Sequence, residues 1–385
     1  MGTIKKQIYL DNASTTKIDP KVLKEMLPYL KDNYGNASSK HTLGIEARKA
    51  VEKARKTIAD KIGAKSGEVI FTGSGSEANN LALKGIFFWN KKSNTGKNHI
   101  ITTKIEHDSV LEACKWLQDQ GAKITYLDVD KEGFVNFEEL KRAISDKTIL
   151  VSIIHGNNEV GTVQDIEGMG KICREKNILF HIDACQSFTK TFIDVKEQNV
   201  DLATVNSHKI HGSKGVGALY LKEELKNKII PLIHGGGQEF GLRSSTENVA
   251  GIVGFGKAVT LSSGKDVENI TKLRDYLISE LLKIENTRLN GANGKKRLCN
   301  NISIAFSGVE AETLASYLNA KNIFISAGSA CSSNKTGISH VLKAIGLSNE
   351  ASGSTIRASL SKFNTKNEIN SAIKEIKGAV KILRK

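Results

Sequence analysis

The chain has 385 residues, enough for about two domains of ordinary size. Its 39% hydrophobic and 25% charged residues are typical of globular proteins and exclude a disordered or fibrous one. The opening residues hold no apolar run long enough for a signal peptide, and no later stretch reaches the roughly 20 apolar residues of a membrane-spanning helix. We therefore predict a cytoplasmic protein without a membrane partner.

The net charge of +15 arises from 56 basic and 41 acidic residues. The lysines are spread along the chain, mostly at helical spacing beside glutamates, and no block of five or more like charges is present. No platform of basic and aromatic residues for single strands is visible either. The pattern predicts a solvated basic surface and no nucleic-acid partner.

Neither the cysteines nor the acidic residues form a metal-site pattern. Cysteines at positions 114, 173, 185, 299 and 331 make no CxxC pair and no even disulfide framework. The segment DVDKEGFVNFEE, residues 128–139, nearly fits a calcium loop, but a strand precedes it and no second copy exists. We predict a strand–turn–helix connection there and no bound metal.

Between residues 65 and 220, short apolar runs alternate with helical patterns. The runs EVIFT, HIITT, KITYLDV, TILVSII, ILFHID and VDLATVN predict strands. In the helical segment after HIITT, Ser109 and Glu112 match a capping box and Gly121 a helix end. Such strands with intervening helices favour a mostly parallel sheet covered on both faces, with ligands outside the carboxyl ends of the strands.

From residue 258 onward the sequence changes to long amphipathic helical patterns around the strand NNISIAF and a shorter strand, IFISAG. This pattern predicts a smaller α+β domain. The composition of the N-terminal segment IYLDNAS is compatible with a strand of the same domain. We therefore predict an α/β protein with a large domain over residues 16–257 and a small domain formed by residues 1–15 and 258–385.

A glycine- and serine-rich segment, GSGSEANN, follows the strand EVIFT. Backbone amides between a strand and a helix start can hold a phosphate group. The same residues match a dinucleotide fingerprint weakly, because the acidic residue expected about 20 positions later is missing. Phosphate binding is the favoured interpretation, and a plain turn is the alternative.

Two further strand ends carry ionisable residues. Asp183 ends an apolar run, where a buried carboxylate needs a cationic partner such as a protonated pyridine nitrogen or an arginine. Lys209 follows the next strand in a polar, glycine-flanked turn that can desolvate an amine and make it nucleophilic; a surface lysine is the ordinary alternative. With the phosphate loop, they match what pyridoxal phosphate requires: an amine for a Schiff base, a carboxylate for the ring nitrogen and an anion site.

The chain resembles, over nearly its whole length, the cysteine desulfurases of the NifS/IscS-like type among the fold-type I pyridoxal-phosphate enzymes. The matching motifs, in order, are YLDNASTT, YGNASSKH, GSGSEANN, IEHDSV, HGNNEVGTVQDI, HIDACQS, SHKIHGSKGVGALY, HGGGQEFGLRSST, SAGSACSS and STIRASLS. The resemblance implies pyridoxal 5'-phosphate as cofactor and conversion of L-cysteine to L-alanine, with the sulfur passing to an enzyme cysteine as a persulfide. It also implies a homodimer and a sulfur acceptor, such as an iron–sulfur scaffold protein.

The resemblance assigns roles to five residues in particular. Lys209 would bind the cofactor covalently and Asp183 would pair with its ring nitrogen. His107 would stack on the ring and assist proton transfer, although a histidine at a helix start is otherwise satisfied by backbone. Arg357, which alone would pass as a surface arginine, would bind the substrate carboxylate. Cys331, in a glycine- and serine-rich loop, would accept the sulfur.

The other cofactor contacts that the resemblance implies are Gly75, Ser76, Asn158, Gln186, Asn206, Ser207, His208 and Thr246. Asn158 and Gln186 would contact the phenolic oxygen, with Asn158 also near the substrate. Asn206 stands where the family usually has a phosphate-binding serine, and Ser207 is the alternative for that contact. Thr246 would reach the phosphate of a neighbouring subunit.

Two other activities remain open from sequence. A selenocysteine lyase, or another pyridoxal lyase or aminotransferase, would share the fold, although an aminotransferase would not need Cys331. A non-catalytic sulfur-assembly partner would not need Lys209 and His107. Of the remaining cysteines, Cys114 and Cys173 match apolar helix faces.

Overall fold

A computed structural model describes residues 7–328 and 339–384. Its helices are α1 (Pro20–Lys31), α2 (Thr42–Lys61), α3 (Gly75–Lys92), α4 (Asp108–Asp119), α5 (Phe137–Ala143), α6 (Ile166–Glu175), α7 (Val249–Thr260), α8 (Gly264–Leu281), α9 (Ala311–Ala320), α10 (His340–Ala344), α11 (Asn349–Gly353) and α12 (Lys366–Leu383). No helix in this described part is long and apolar enough to span a membrane.

The strands form three sheets. They are β1 (Ile8–Tyr9), β2 (Val69–Thr72), β3 (His99–Thr103), β4 (Lys123–Leu127), β5 (Thr148–Ile154), β6 (Leu179–Asp183), β7 (Leu202–Asn206), β8 (Gly217–Leu221), β9 (Thr287–Leu289), β10 (Asn301–Phe306), β11 (Ile323–Phe324), β12 (Ser326–Ala327) and β13 (Thr355–Ser359). The sheet orders are β2-β8-β7-β6-β5-β3-β4, β12-β13-β10-β9 and β1-β11.

The seven-stranded sheet contains all six strands predicted between residues 65 and 220. Strands β7, β6, β5, β3 and β4 are parallel neighbours, whereas β8 runs antiparallel between β2 and β7. The predicted mostly parallel sheet is therefore confirmed, and β8, which the sequence pattern missed, is its one antiparallel strand within the described residues.

Both faces of this sheet are covered. Leu150 and Val151 are successive residues of β5 and belong to two different apolar cores, because successive side chains of a strand point to opposite faces. Helices α1, α2, α6 and α7 contribute to the core around Val151, and α3 and α4 to the core around Leu150. Burial on both faces explains the near-continuous apolar sequence of the central strands.

A separate apolar core lies among the smaller sheets and helices α8, α9 and α12. The N-terminal strand β1 pairs with β11, and its Ile8 belongs to this core. The predicted strand IFISAG is divided into β11 and β12, which lie in different sheets. The domain boundaries after residues 15 and 257 stay a prediction.

Two local features can be compared with their sequence signals. The predicted capping box of Ser109 and Glu112 is wrong: α4 begins two residues earlier than a Ser109 cap requires. His107 is the N-cap, because its Nδ1 accepts a hydrogen bond from the Ser109 amide at 3.1 Å. The acid-rich segment 128–139 is a strand end, turn and helix start, as predicted. There Asp130 Oδ1 accepts the amides of Glu132 and Phe134, each at 2.9 Å.

Candidate active site

Strands β3, β5, β6 and β7 are parallel, so their carboxyl ends lie along one edge of the large sheet. A pocket of about 240 Å³ opens at this edge. The last residues of β5, β6 and β7, which are Ile154, Asp183 and Asn206, line it. Ser14 and Arg357 contribute from the side of the smaller sheets. The pocket thus lies where ligands bind in sheets of this type.

Ten of the residues predicted from sequence lie in the pocket wall. They are Gly75, Ser76, His107, Asn158, Asp183, Gln186, Asn206, His208, Lys209 and Arg357. Ser207 is fully buried and Thr246 is exposed, and neither belongs to the wall that the described residues form. Of the two residues proposed for one phosphate contact, Asn206 therefore faces the pocket and Ser207 does not. Cys331 lies outside the described residues.

One end of the pocket is the start of α3. Ser74 is the N-cap, and its hydroxyl accepts the Glu77 amide at 3.1 Å. The amides of a first helical turn have no partner within the helix and attract anions. A Cβ at Gly75 would lie 2.5 Å from Cys185 Sγ, so only a glycine fits against that side chain. This narrow cradle of backbone at Gly75 and Ser76 suits a phosphate group.

Asp183 is a buried carboxylate at the pocket floor, with 3% of its surface exposed. Its Oδ2 accepts a hydrogen bond from Asn79 Nδ2 at 2.8 Å, and its Oδ1 accepts the backbone amide of Cys185 at 2.9 Å. Both donors are neutral, so the charge of Asp183 has no ion-pair partner in the described part of the chain. A buried carboxylate in this state is stabilised by a cationic ligand.

Lys209 and His208 bring nitrogen atoms to the pocket from the turn after β7. The Lys209 ammonium donates to the carbonyl oxygens of Ala13 and Ser14, the latter at 2.6 Å. Burial, and then the nearby charge of Lys209, lower the pKa of His208 to about 4. His208 is therefore neutral at pH 7, and its Nδ1 lies 3.1 Å from Thr15 Oγ1.

His107 caps a helix and also lines the pocket, and its contact with a cofactor ring stays a prediction. Its Nδ1 caps α4 by accepting the Ser109 amide, and lies 2.9 Å from Ser109 Oγ. The same side chain also lines the pocket beside Asp183 and Lys209. Capping at Nδ1 therefore fixes the ring while the residue faces the pocket.

Arg357 is buried, with 2% of its surface exposed, and is not a surface arginine. Its Nη2 donates to Asp11 Oδ1 at 2.9 Å and to Ser14 Oγ at 2.6 Å, and its Nη1 donates to the Asn158 carbonyl at 3.2 Å. Its Nε has no hydrogen-bond partner among the described residues. A guanidinium held in this way can receive a carboxylate.

The described cysteines are free thiols. Burial raises the pKa of both Cys114 and Cys173 to about 12, and it also raises the pKa of Cys299. Cys185 lines the pocket, but burial and then Asp183 raise the pKa of its thiol well above the usual range. Because the thiolate is the nucleophile, none of these four thiols is activated by its surroundings.

Sequence reasoning missed Asn79 and Asp11, although both lie inside quoted motifs. Asn79 shares an α3 face with the buried residues Leu83 and Ile86, and a polar side chain on an apolar helix face was the available signal. Asp11 pairs with Arg357 across 346 positions of sequence, and no local pattern marks such a contact.

The pocket fits pyridoxal phosphate on three counts. The α3 start supplies an anion cradle with no room for a side chain at Gly75. Asp183 is a buried carboxylate suited to a protonated ring nitrogen, and Lys209 supplies an amine in the same wall. Gly75 and Ser76 would hold the phosphate, and Asp183 the ring nitrogen.

Comparison with known proteins agrees with this geometry. Residues 8–371 match the aminotransferase class-V family. A cysteine desulfurase IscS of Clostridium botulinum is 46% identical over 98% of this chain and 95% of its own length. A solved NifS-like protein superposes with a TM-score of 0.89 at 37% identity, covering 98% of this chain and 99% of that chain. The solved structure of SspA in complex with cysteine superposes with a TM-score of 0.83 at 37% identity, covering 94% of this chain and 100% of that chain. The chain therefore belongs to the cysteine desulfurases of the aminotransferase class-V family, which are pyridoxal-phosphate-dependent enzymes.

Proposed function

We propose that this chain removes sulfur from L-cysteine, releases L-alanine and carries the sulfur as a persulfide on Cys331. An acceptor protein, such as an iron–sulfur scaffold, would then take the sulfur for cluster assembly or another thiolation. The observation that carries the proposal is the meeting of Lys209, Asp183 and Arg357 in one pocket, from three separate segments of the chain. The similarity to SspA, which was solved with cysteine, supports the choice of substrate.

Several residues serve to hold the cofactor. Pyridoxal phosphate, when bound, supplies an electron sink for the α-carbon of an amino acid. Asp183 keeps the ring nitrogen protonated, which strengthens that sink, and Gly75 and Ser76 hold the phosphate. Asn158 and Gln186 bind the phenolic oxygen; the Gln186 Nε2 is oriented by donating to the Ala13 carbonyl at 2.8 Å.

Arg357 and Lys209 act on the substrate. The Arg357 guanidinium binds the substrate carboxylate, because its orientation is set by Asp11 and Ser14 and its Nε has no partner in the described part of the chain. The neutral amine of Lys209 takes the α-proton and becomes an ammonium, which donates hydrogen bonds to the carbonyl oxygens of Ala13 and Ser14. Proton removal therefore takes place at a fixed atom.

His107 and Cys331 complete the reaction. Because Nδ1 of His107 accepts the Ser109 amide, the neutral ring carries its exchangeable proton at Nε2. The Cys331 thiolate attacks the substrate sulfur, so an S–S bond forms as the C–S bond breaks. The electron pair of the C–S bond stays on the substrate carbon, which takes up a proton and becomes the methyl group of alanine, and the Lys209 ammonium returns a proton to the α-carbon. The enzyme is left with a persulfide.

The assembly and location belong to the same proposal. Thr246 is exposed and outside the pocket of its own chain, which suits a contact with the phosphate of a neighbouring subunit in a homodimer. The described cysteines are unpaired thiols, as expected for a protein of a reducing compartment such as the cytoplasm.

The test compares Cys331→Ala with Cys299→Ala, which removes a buried thiol that is not part of the active-site pocket wall. With L-cysteine and bound cofactor, the parent should form alanine and carry sulfur that reductant removes. Cys331→Ala should keep the absorbance change on adding cysteine but form alanine only at background, because binding is intact and the nucleophile is gone. Cys299→Ala should behave as the parent. Alanine formation at the parental rate by Cys331→Ala, with protein-bound sulfur, would make Cys185 the carrier and overturn the assignment.

A further inference from the structure

We propose that Asn79 is a positioning residue that joins Asp183 to His107 through Ser109, so that one hydrogen-bond network holds both groups. The inference rests on the proposed function, in which Asp183 and His107 act on the same cofactor ring. Asn79 itself is assigned no contact with cofactor or substrate.

The network is continuous and lies within the described residues. Asn79, on the second turn of α3, has 1% of its surface exposed. Its Nδ2 donates to Asp183 Oδ2 at 2.8 Å and to Ser109 Oγ at 2.9 Å. Ser109 Oγ lies 2.9 Å from His107 Nδ1. Three hydrogen bonds therefore connect a carboxylate at the end of β6 with an imidazole at the start of α4.

The chemistry of the end groups determines the direction of each bond. A carboxylate can only accept, so the amide of Asn79 must turn its NH2 group toward Asp183. The opposite orientation would place Asn79 Oδ1 against the Asp183 carboxylate, which has no proton to donate. In the observed orientation Oδ1 is buried without a partner among the described residues, which is unfavourable by itself. The two bonds of Nδ2 therefore determine how this side chain is oriented.

The same reasoning fixes the proton on His107. Ser109 Oγ accepts from Asn79 and lies 2.9 Å from His107 Nδ1, so its own hydroxyl proton is available to that nitrogen. The Ser109 amide donates to the same nitrogen. His107 Nδ1 is thus an acceptor, and the neutral ring is protonated at Nε2. Asn79 contributes by keeping the Ser109 hydroxyl in its donor orientation.

The network gives Asn79 two effects on the reaction. It supplies one of the two neutral donors to Asp183, and it fixes the orientation of His107 relative to that carboxylate. Without it, the Ser109 hydroxyl can turn away and Nδ1 keeps only the Ser109 amide as a donor, which weakens the preference for the tautomer protonated at Nε2. Arg357 is not part of the network, so cysteine binding through its carboxylate should be little affected.

The experiment uses the holoenzyme and the variants Asn79→Ala, Ser109→Ala and the double substitution. Asn90→Ala is the matched control, because Asn90 is a buried asparagine of the same helix whose Nδ2 donates only to the Ile86 carbonyl, at 3.0 Å. We expect Asn79→Ala to lower kcat about tenfold, the usual scale for a hydrogen bond to a charged group, with KM for cysteine within about twofold of the parent. For Asn90→Ala, both kcat and KM should stay within about twofold of the parent values.

Two readouts separate positioning from general damage. In a double-mutant cycle, Ser109→Ala should add less than about twofold once Asn79 is replaced, because both act through one network. Nitrogen-15 NMR of the histidines, with His107 assigned from a His107→Gln sample, should show Nδ1 unprotonated in the parent and partly protonated in Asn79→Ala. Equal melting temperatures of Asn79→Ala and Asn90→Ala would support a local effect.

The inference is overturned if Asn79→Ala matches Asn90→Ala in kcat and in the His107 tautomer, or if the effects of Asn79→Ala and Ser109→Ala multiply in full. Failure of the proposed function looks different: the parent itself would form no alanine from cysteine. The tautomer measurement needs no turnover, so it tests the network in either case.

Discussion

Asp183 and Arg357 are two buried charged side chains that face the same pocket, and their charges are compensated differently. Asp183 receives hydrogen bonds from the neutral donors Asn79 Nδ2 and the Cys185 amide. Arg357 forms an ion pair with Asp11, with Nη2 and Oδ1 2.9 Å apart. The carboxylate therefore lacks a counter-charge in the described part of the chain, whereas the guanidinium already has one.

This difference matches the two kinds of ligand. Burying an uncompensated charge costs several kcal/mol, so Asp183 gains most from a cation that stays in place, such as the protonated nitrogen of a resident cofactor. The charge of Arg357 is partly neutralised by Asp11, so a substrate carboxylate adds only moderate stabilisation and can leave again. We therefore expect a permanent ligand at Asp183 and a transient one at Arg357.

The largest expected effect comes from removing the uncompensated charge. Asp183→Asn keeps the shape of the side chain but loses the charge. We expect kcat to fall on the order of a thousandfold, because breaking a buried ion pair costs about 3–5 kcal/mol. The cofactor should be retained, since Gly75, Ser76 and Lys209 are unchanged. Turnover and absorbance after gel filtration measure the two outcomes, and parental turnover would refute the ring-nitrogen assignment.

Changing Arg357 should act mainly on substrate binding. Arg357→Lys keeps a positive charge but loses the planar set of donors, which also reaches Asp11 and Ser14. We expect KM for cysteine to rise roughly 10- to 100-fold, the scale of hydrogen bonds to a charged group, with a smaller change in kcat. Steady-state kinetics with L-cysteine measures both constants. A fall in kcat at constant KM would show that Arg357 does not bind the substrate.

Glu106 extends the comparison to a buried carboxyl that stays neutral. Its Oε1 accepts from Thr103 Oγ1 and the Ile154 amide, and burial raises its pKa from 4.5 to about 8. The folded state holds this proton more tightly than the unfolded state, so the free energy of unfolding should fall as pH rises from 4.5 and level off above 8.

The corresponding measurement is chemical denaturation at pH 6 and pH 9. From linkage we expect this group to lower the free energy of unfolding by about 2 kcal/mol between these pH values. Glu106→Gln keeps the hydrogen-bonding oxygen and cannot ionise, so its decrease over this range should be smaller by that amount. Equal pH dependence in parent and variant would mean that Glu106 is ionised at neutral pH or titrates alike in both states.

The smallest effect concerns the counter-charge of Arg357. Asp11→Asn preserves an acceptor oxygen for Arg357, Ser14 and Ser326, all of which donate to Asp11 Oδ1. Loss of the negative charge should make Arg357 a stronger site for a carboxylate, so KM for cysteine should decrease about threefold, in line with partly exposed charge pairs. An increase in KM would show that Asp11 orients Arg357 more than it neutralises it.

The parallel sheet and part of the site could be predicted because their signals are local. Strands such as TILVSII are apolar throughout because both faces are buried, and Asp183 stands out at the end of such a run. Strand β8 was missed because most of GALYL belongs to the motif SHKIHGSKGVGALY, which was interpreted for its lysine. The N-cap of α4 was misassigned because Ser109 and Glu112 fit a capping box equally well, and histidine is an uncommon cap.

The sequence by itself determined the family, the order of the motifs, the strand end at Asp183, the turn after a strand that carries Lys209, and the helix start at Gly75, where phosphate binding stays a prediction. Each depends on neighbours within a few positions, since apolar period, strand ends and helix starts are local properties. Only the tertiary structure decided that Arg357 is buried against Asp11, that Asn206 and not Ser207 faces the pocket, and that Asn79 joins Asp183 to Ser109. Hydrogen bonds between residues far apart in the chain leave no periodic signal in sequence, because they form only when separate strands and helices pack together.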